Sequence, residues 1–295
     1  MLRLSRSVFV GLSLLSPFAA RADFLPPNNL HLEDGLLRGV QLTEQDFNDA
    51  IDEAEAIYKP LIQQTFGARL RFNRLWTNST VNASASQSGS TWDVNMYGGL
   101  ARRPEITRDG FSIVICHELG HHLGGYPFSS AWAANEGQSD YFATLSCARL
   151  LWKDQVEKNA ESAELIPDLP KAKCDATWET EDDRNLCYRL MLAGKSTADL
   201  LSALGGTVAK WDSPDPKKVS STNNAHPQGQ CRLDTYIAGA LCVAEFDENL
   251  IPGKALGGRR NSADAERESA KYTCTPVDSF EIGTRPLCWF KPFLP

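Results

Sequence analysis

The spacing of apolar and polar positions changes character along the chain, and each change predicts a different element. Thr43 followed by Asp46 reads as an N-cap with an acidic first turn, opening an amphipathic helix that runs to about Phe66 and stops at Gly67. From Leu70 the texture turns to alternation and β-branched residues, LRFNRLW, TVNASAS and TWDVNMYGGL. These predict three strands with turns at Gly89 and Gly98-Gly99, the middle strand being polar enough to lie at an edge. Residues 106–123 form the next helix, stopped by Gly124-Gly125. A second helix is expected over 130–152, then a charged, poorly patterned connection to Trp178. Shorter helices follow near 182–194 and 197–205, then a Pro-, Ser- and Asn-rich loop at 212–228, a helix near 230–247 and a Gly/Arg-rich tail. The pattern is that of an α+β protein: a small mixed or antiparallel sheet packed on a central helix, and a mainly helical C-terminal part.

The first residues change this picture. Arg3 and Arg6 precede an apolar run over 8–20 and the small-x-small triplet Ala20-Arg21-Ala22, the pattern of an export signal cleaved after Ala22. The apolar run is short of the about 20 residues a membrane span needs. The expected organisation is a signal over 1–22, a catalytic core over 23–152, a helical insertion over 153–222, and a C-terminal part over 223–295 that completes the site. Net charge is −7 for the whole chain and becomes −10 once a signal with three arginines and no acid is removed. Such an acidic chain is a poor partner for nucleic acid or anionic lipid. All eight cysteines lie beyond the signal, an even count that fits disulfides in a periplasmic or secreted protein. Cys174 with Cys187 and Cys274 with Cys288 would each close a short loop. The other four stay open, except that Cys231 and Cys242, about three turns apart on one helix, cannot reach each other.

The candidate chemistry is concentrated in CHELGHHLGG at 116–125, which holds three of the five histidines. Residues four apart in a helix lie about 40° apart around the axis and about 6 Å along it, so His117 and His121 can present two imidazoles to one ion. Glu118 is a neighbour of both and suits a general base acting on a metal-bound water. Downstream, NEGQSDYFA places Glu136 and Asp140 four apart. Glu136 would complete a His2Glu set for one zinc ion with an open position for water. Asp140 would accept the Nδ1 proton of a ligand histidine. His122 faces about 100° away from His121 and is left out of the ligand set. Reading 117–124 as HExxHxxG would put the third ligand at Pro127, which has no donor atom to give. Cys116 and Cys147, flanking these helices, read as structural. Asn78 and Asn82 open possible glycosylation sequons and read as ordinary strand polar residues.

The order VNASAS, a strand ending in GGL, HELGHH on a helix and an ExxxD helix resembles the HtpX and CAAX-prenyl-protease type of gluzincin zinc metallopeptidase. AHPQGQCRLDTY at 225–236 is similar to that family's His-Pro segment followed by Arg. The resemblance implies a zincin-like fold, hydrolysis of a peptide or protein substrate, and places for His226 and Arg232 near the site. His226, or a nearby Arg or Tyr, would donate to the oxyanion; Arg232 could instead pair with an acid to hold its helix against the loop. The edge strand at 91–98 would bind an extended substrate backbone. The 14 residues between His121 and Glu136 are fewer than the family usually shows, and its membrane helices are missing. The implied protein is a compact exported relative. The alternative is a non-catalytic envelope protein using the zinc helix and disulfides as scaffold, and a further one is a metal-free helix.

Overall fold

The computed structural model describes residues 21–35 and 42–294, so the expected signal lies outside it up to residue 20. The chain is α+β, with a mixed four-stranded sheet in the order β1-β3-β4-β2. The strands are β1 (Arg21–Asp23), β2 (Arg69–Leu75), β3 (Ala83–Ser88) and β4 (Thr91–Tyr97). In β2 the buried Leu70 and Phe72 alternate with exposed Arg69 and Arg71, the two-residue period of a half-buried strand. β3 and β4 form an antiparallel hairpin turned at Gly89, whose φ of 58° suits a residue without Cβ. β4 then pairs in parallel with β2.

Two expectations about edges fail here. β4 has a partner on each side, so the strand expected to offer a free edge to substrate is internal. The polar β3, expected at an edge, is covered by β1, which runs antiparallel along it with Asp23 opposite Ser84. The alternation identified the strands, but which strand ends up outside depends on a pairing from a remote part of the chain.

Helix α1 (Glu44–Phe66) begins with a complete capping box: Thr43 and Asp46 each satisfy the other's backbone amide. Its stripe Phe47, Ala50, Ile51, Ala54, Tyr58 and Ile62 is buried, and it packs on β2 and on the central helix. After the short α2 (Gly98–Ala101) comes that central helix, α3 (Arg108–Leu123), capped by Thr107 and buried on every side from Gly110 to Leu123. A helix buried on every face lies inside the molecule, so its polar side chains, His117, Glu118, His121 and His122 among them, must find their partners there. Helix α4 (Glu136–Phe142) passes through a π-helical turn at Ala143–Cys147 into α5 (Ala148–Trp152). The expected start at 130 is overruled by the Asn135 N-cap, whose side chain takes the Gln138 amide at 2.9 Å. Beyond lie α6 (Val156–Glu161), α7 (Asp168–Thr177), α8 (Glu181–Gly205), α9 (Gly229–Leu241) and α10 (Ala263–Ala270). The two helices expected over 182–205 are therefore one, and the helix expected to reach 247 ends at Leu241.

Disulfides join Cys116 to Cys147, Cys174 to Cys187, Cys231 to Cys288 and Cys242 to Cys274. The Cys174 pairing is the one expected. The expected Cys274–Cys288 bond is absent, because the end of α9 brings Cys242 against Cys274 and its start brings Cys231 against Cys288. Loop length influences closure only weakly, so a nearby cysteine has little advantage once tertiary packing has placed another. Among the described residues no helix is long and apolar enough to cross a membrane.

Candidate metal centre

Four residues of α3 and α4 converge at the middle of the molecule. His117, Glu118 and His121 are fully buried and Glu136 is 7% exposed. One nitrogen of each imidazole is already committed: His117 Nδ1 donates to Asp140 Oδ1 at 2.8 Å, and His121 Nδ1 donates to the Ala134 carbonyl at 2.9 Å. Each ring therefore turns its Nε2 inward, where it can offer a lone pair once it carries no proton. Glu136 Oε2 lies 3.3 Å from His117 Nε2, and Oε1 lies 3.7 Å from His121 Nε2. These donor atoms fall within 4.8 Å of one another. Both Nε2 atoms and Glu136 Oε2 are buried without a hydrogen bond. Unpartnered buried polar atoms are costly, and two imidazoles with one carboxylate are the donor set of catalytic zinc, so these residues fit such an ion.

The connection between the helices achieves this in a short span. The Ala134 amide donates to the His121 carbonyl, the Asn135 amide to Pro127, and Gln138 Nε2 to the Gly124 carbonyl, at 2.8–2.9 Å. Gly120 allows the close approach, since a Cβ there would stand 2.9 Å from the Ser139 backbone.

Asp140 anchors the far side of His117. Its Oδ1 also accepts from Arg232 and, at 2.6 Å, from the Tyr236 hydroxyl. Burial opposes a charge on Asp140, yet the Arg232 guanidinium and His117 hold its carboxyl below the usual range. Burial likewise opposes a charged His117, but the Asp140 carboxylate outweighs it and raises the imidazole to about 9. His121 Nδ1 faces only neutral groups, the Ala134 carbonyl and the Ser139 hydroxyl, and burial takes the ring down to about 4. Glu136 is held low by His121 and His117 against the cost of burial. Burial pushes Glu118 well above the ordinary carboxyl range, and both its oxygens lack a partner.

His226 lies beside this group, its Nε2 3.5 Å from Glu136 Oε2, and donates to the Asp23 carbonyl at 2.7 Å. Arg232 is fully buried and directed at Asp140 and at the Phe24 carbonyl, 2.8 Å from Nη1. His122 is elsewhere, stacked between Trp92 and Trp132, accepting from Gln87 and donating to the Asp93 carbonyl. Burial lowers it to about 3, so it stays neutral. Sequence reasoning missed Tyr236, although its place four residues after Arg232 on α9 was a usable signal. It read Asn82, inside VNASAS, only as a strand polar residue, and it missed Phe24. Asp215 also lies near Cys231 and Cys288, but the disulfide between those two leaves no thiolate. Two open surface cavities of about 720 and 510 Å³, around Ala244 and Phe246, contain none of the metal-facing residues. The candidate centre rests on donor geometry instead of cavity size. No protein-family profile, curated protein or solved structure matches this chain.

Proposed function

We propose that this chain is an exported zinc-dependent peptidase of the gluzincin type, zincin-like in fold, with His117, His121 and Glu136 as the zinc ligands. The observation that carries this reading is the set of buried Nε2 and Oε atoms that face one point with no other partner. Export rests on the N-terminal pattern, with four disulfides as support. A bound zinc ion supplies a Lewis acid and a water of lowered pKa. Glu118, its carboxyl oxygens uncommitted, would be favoured as the carboxylate by a cation bound beside it, and would then take the water proton and deliver it to the leaving amine. His226, an Nε2–H donor beside Glu136, steadies the oxyanion. Arg232 acts through Asp140, which fixes the tautomer and the orientation of His117.

Glu118→Gln is expected to keep one zinc per chain and to lose casein hydrolysis by at least a hundredfold. Metal analysis with a casein assay checks both, and wild-type turnover in this variant would remove Glu118 from the mechanism. One observation favours the scaffold alternative: residues 24 and 25 cover the site and are themselves fully buried. Inhibition of a measured hydrolysis by a hydroxamate would exclude it.

A further inference from the structure

The cavity of about 510 Å³ lies where the π-helical turn, the start of α8 and residues 243–248 meet. That volume is in the range of small-ligand sites. Leu145 and Ser146 reach the cavity from the π-helical turn, and such turns are rare and frequently found at functional sites. None of the metal-facing residues lines it, so a ligand here is independent of the metal reading.

Arg149 is the buried cation of this cavity. Its Nη2 caps the end of α9, shared among the Gly239, Ala240 and Cys242 carbonyls at 3.2–3.4 Å. Capping uses that nitrogen alone. Nε is shielded without a hydrogen bond, and among the described residues Nη1 makes none and no carboxylate pairs with the group. Burial lowers it to about 10, so it stays charged. A guanidinium is a planar fork suited to a carboxylate held by two bonds, and a buried charge without a partner is costly. The Trp178 ring lies against it, its centroid 4.4 Å from the guanidinium carbon.

The rest of the lining decides what that carboxylate belongs to. Leu150, Val243 and Phe246 supply an apolar wall, of which Val243 is 46% exposed. Lys153 adds a second cation, while Asp183 and Glu245 add acids. Glu248 is the third acid, its Oε1 accepting from the Ser146 hydroxyl and its Oε2 without a partner. A purely anionic ligand would be repelled by these acids; one with a charge of each sign on an apolar body finds a complement for both. We propose that this cavity binds short peptides, with the free C-terminal carboxylate on Arg149, an apolar last side chain against Trp178 and Phe246, and the terminal ammonium toward Asp183 and Glu245. This goes beyond the peptidase reading and holds or fails without it.

The test is isothermal titration of the tripeptide Ala-Leu-Phe into the full chain carrying Glu118→Gln, so that hydrolysis does not consume the probe. Saturable one-to-one binding is expected. Amidating the peptide's C-terminus, or Arg149→Gln, is expected to weaken it by about tenfold or more, the value of a hydrogen bond to a charged group. Acetylating the N-terminus removes a charge pair at the cavity rim and is expected to weaken it by about two- to fivefold. Val243→Glu sets a carboxylate beside the Cys242 carbonyl that Arg149 holds, from an exposed position, and gives the same loss as Arg149→Gln should that variant not fold. Absence of saturable binding, or equal binding of acid and amide, overturns the proposal. Octanoate bound as tightly as the tripeptide overturns the peptide class, because it carries the carboxylate and the apolar body without the ammonium.

Discussion

Asp140 Oδ1 receives donors from three directions: the His117 imidazole, the Arg232 guanidinium and the Tyr236 hydroxyl. Asp140→Asn is expected to leave Arg232 buried without its counter-charge, at a cost of about 3–5 kcal/mol, and, on the proposed zinc reading, to weaken zinc binding by about 10- to 100-fold. Tyr236→Phe removes only one of the donors and is expected to cost about 1 kcal/mol. Denaturant melts and chelator competition rank the two. A second residue sets a pH dependence away from the metal. Glu248 is half-buried as a residue, but its Oε2 is shielded and unpartnered, and burial raises its carboxyl from 4.5 to about 7. The folded protein then binds a proton that the unfolded chain releases near pH 4.5. This favours the fold at and below that pH, and the advantage is lost as pH rises through about 7. Glu248→Gln is expected to flatten that fall in stability between pH 5 and 8, as read from urea melts. The shared face of His117 and His121 was legible at this scale, because four-residue spacing on a helix fixes which side chains lie together; the structure adds Glu136 to them as a possible grouping. His226 and Arg232 could be singled out only by resemblance, and Phe24 not at all.

The closeness of α3 and α4 depends on Gly120, which meets the Ser139 backbone where any Cβ would collide. Gly120→Ala is expected to destabilise the protein by about 1–3 kcal/mol through overpacking, and to weaken zinc binding by moving Glu136 away from the imidazoles. Thermal melts and zinc titration read the two effects separately; unchanged zinc affinity would show that the site tolerates a looser helix pair. The reading of α1 and α3 from periodicity and caps matches the elements found, to within two residues at their starts. The misread elements have local causes. Ala133 and Ala134 suit a helix by composition, but their backbone groups are used in the turn to His121 and Ser129. The two helices expected over 182–194 and 197–205 are one continuous helix, in which Gly194 leaves the space that Tyr236 packs into. The propensity cost of one glycine, about 1 kcal/mol, is easily exceeded by such packing.

At the level of the whole molecule, one buried cluster runs from Phe24 near the start to Phe290 near the end, with the Cys116–Cys147, Cys174–Cys187 and Cys231–Cys288 disulfides inside it. The Cys231–Cys288 bond closes a separation of 57 residues at the start of α9, next to Arg232. Replacing both cysteines by Ala is expected to cost about 4 kcal/mol from the released loop entropy. On the zinc reading it should also lower zinc affinity, since α9, which brings Arg232 and Tyr236 to Asp140, loses its tether. Guanidinium melts of the double variant check the first, and chelator competition the second.

Sequence alone determined the α+β class, the helix carrying His117, Glu118 and His121, the approach of a carboxylate pair four residues apart, and one disulfide. All of these are set by spacing within a single element or a short loop. Only the tertiary structure decided that β4 is internal, that Cys231 and Cys242 take partners from the tail, that Tyr236 and Arg232 share Asp140, and that residues 21–25 lie across the site. Each of those joins positions far apart in the chain, where the outcome is set by which surfaces remain to be buried once the helices and hairpin have packed. No local pattern encodes it.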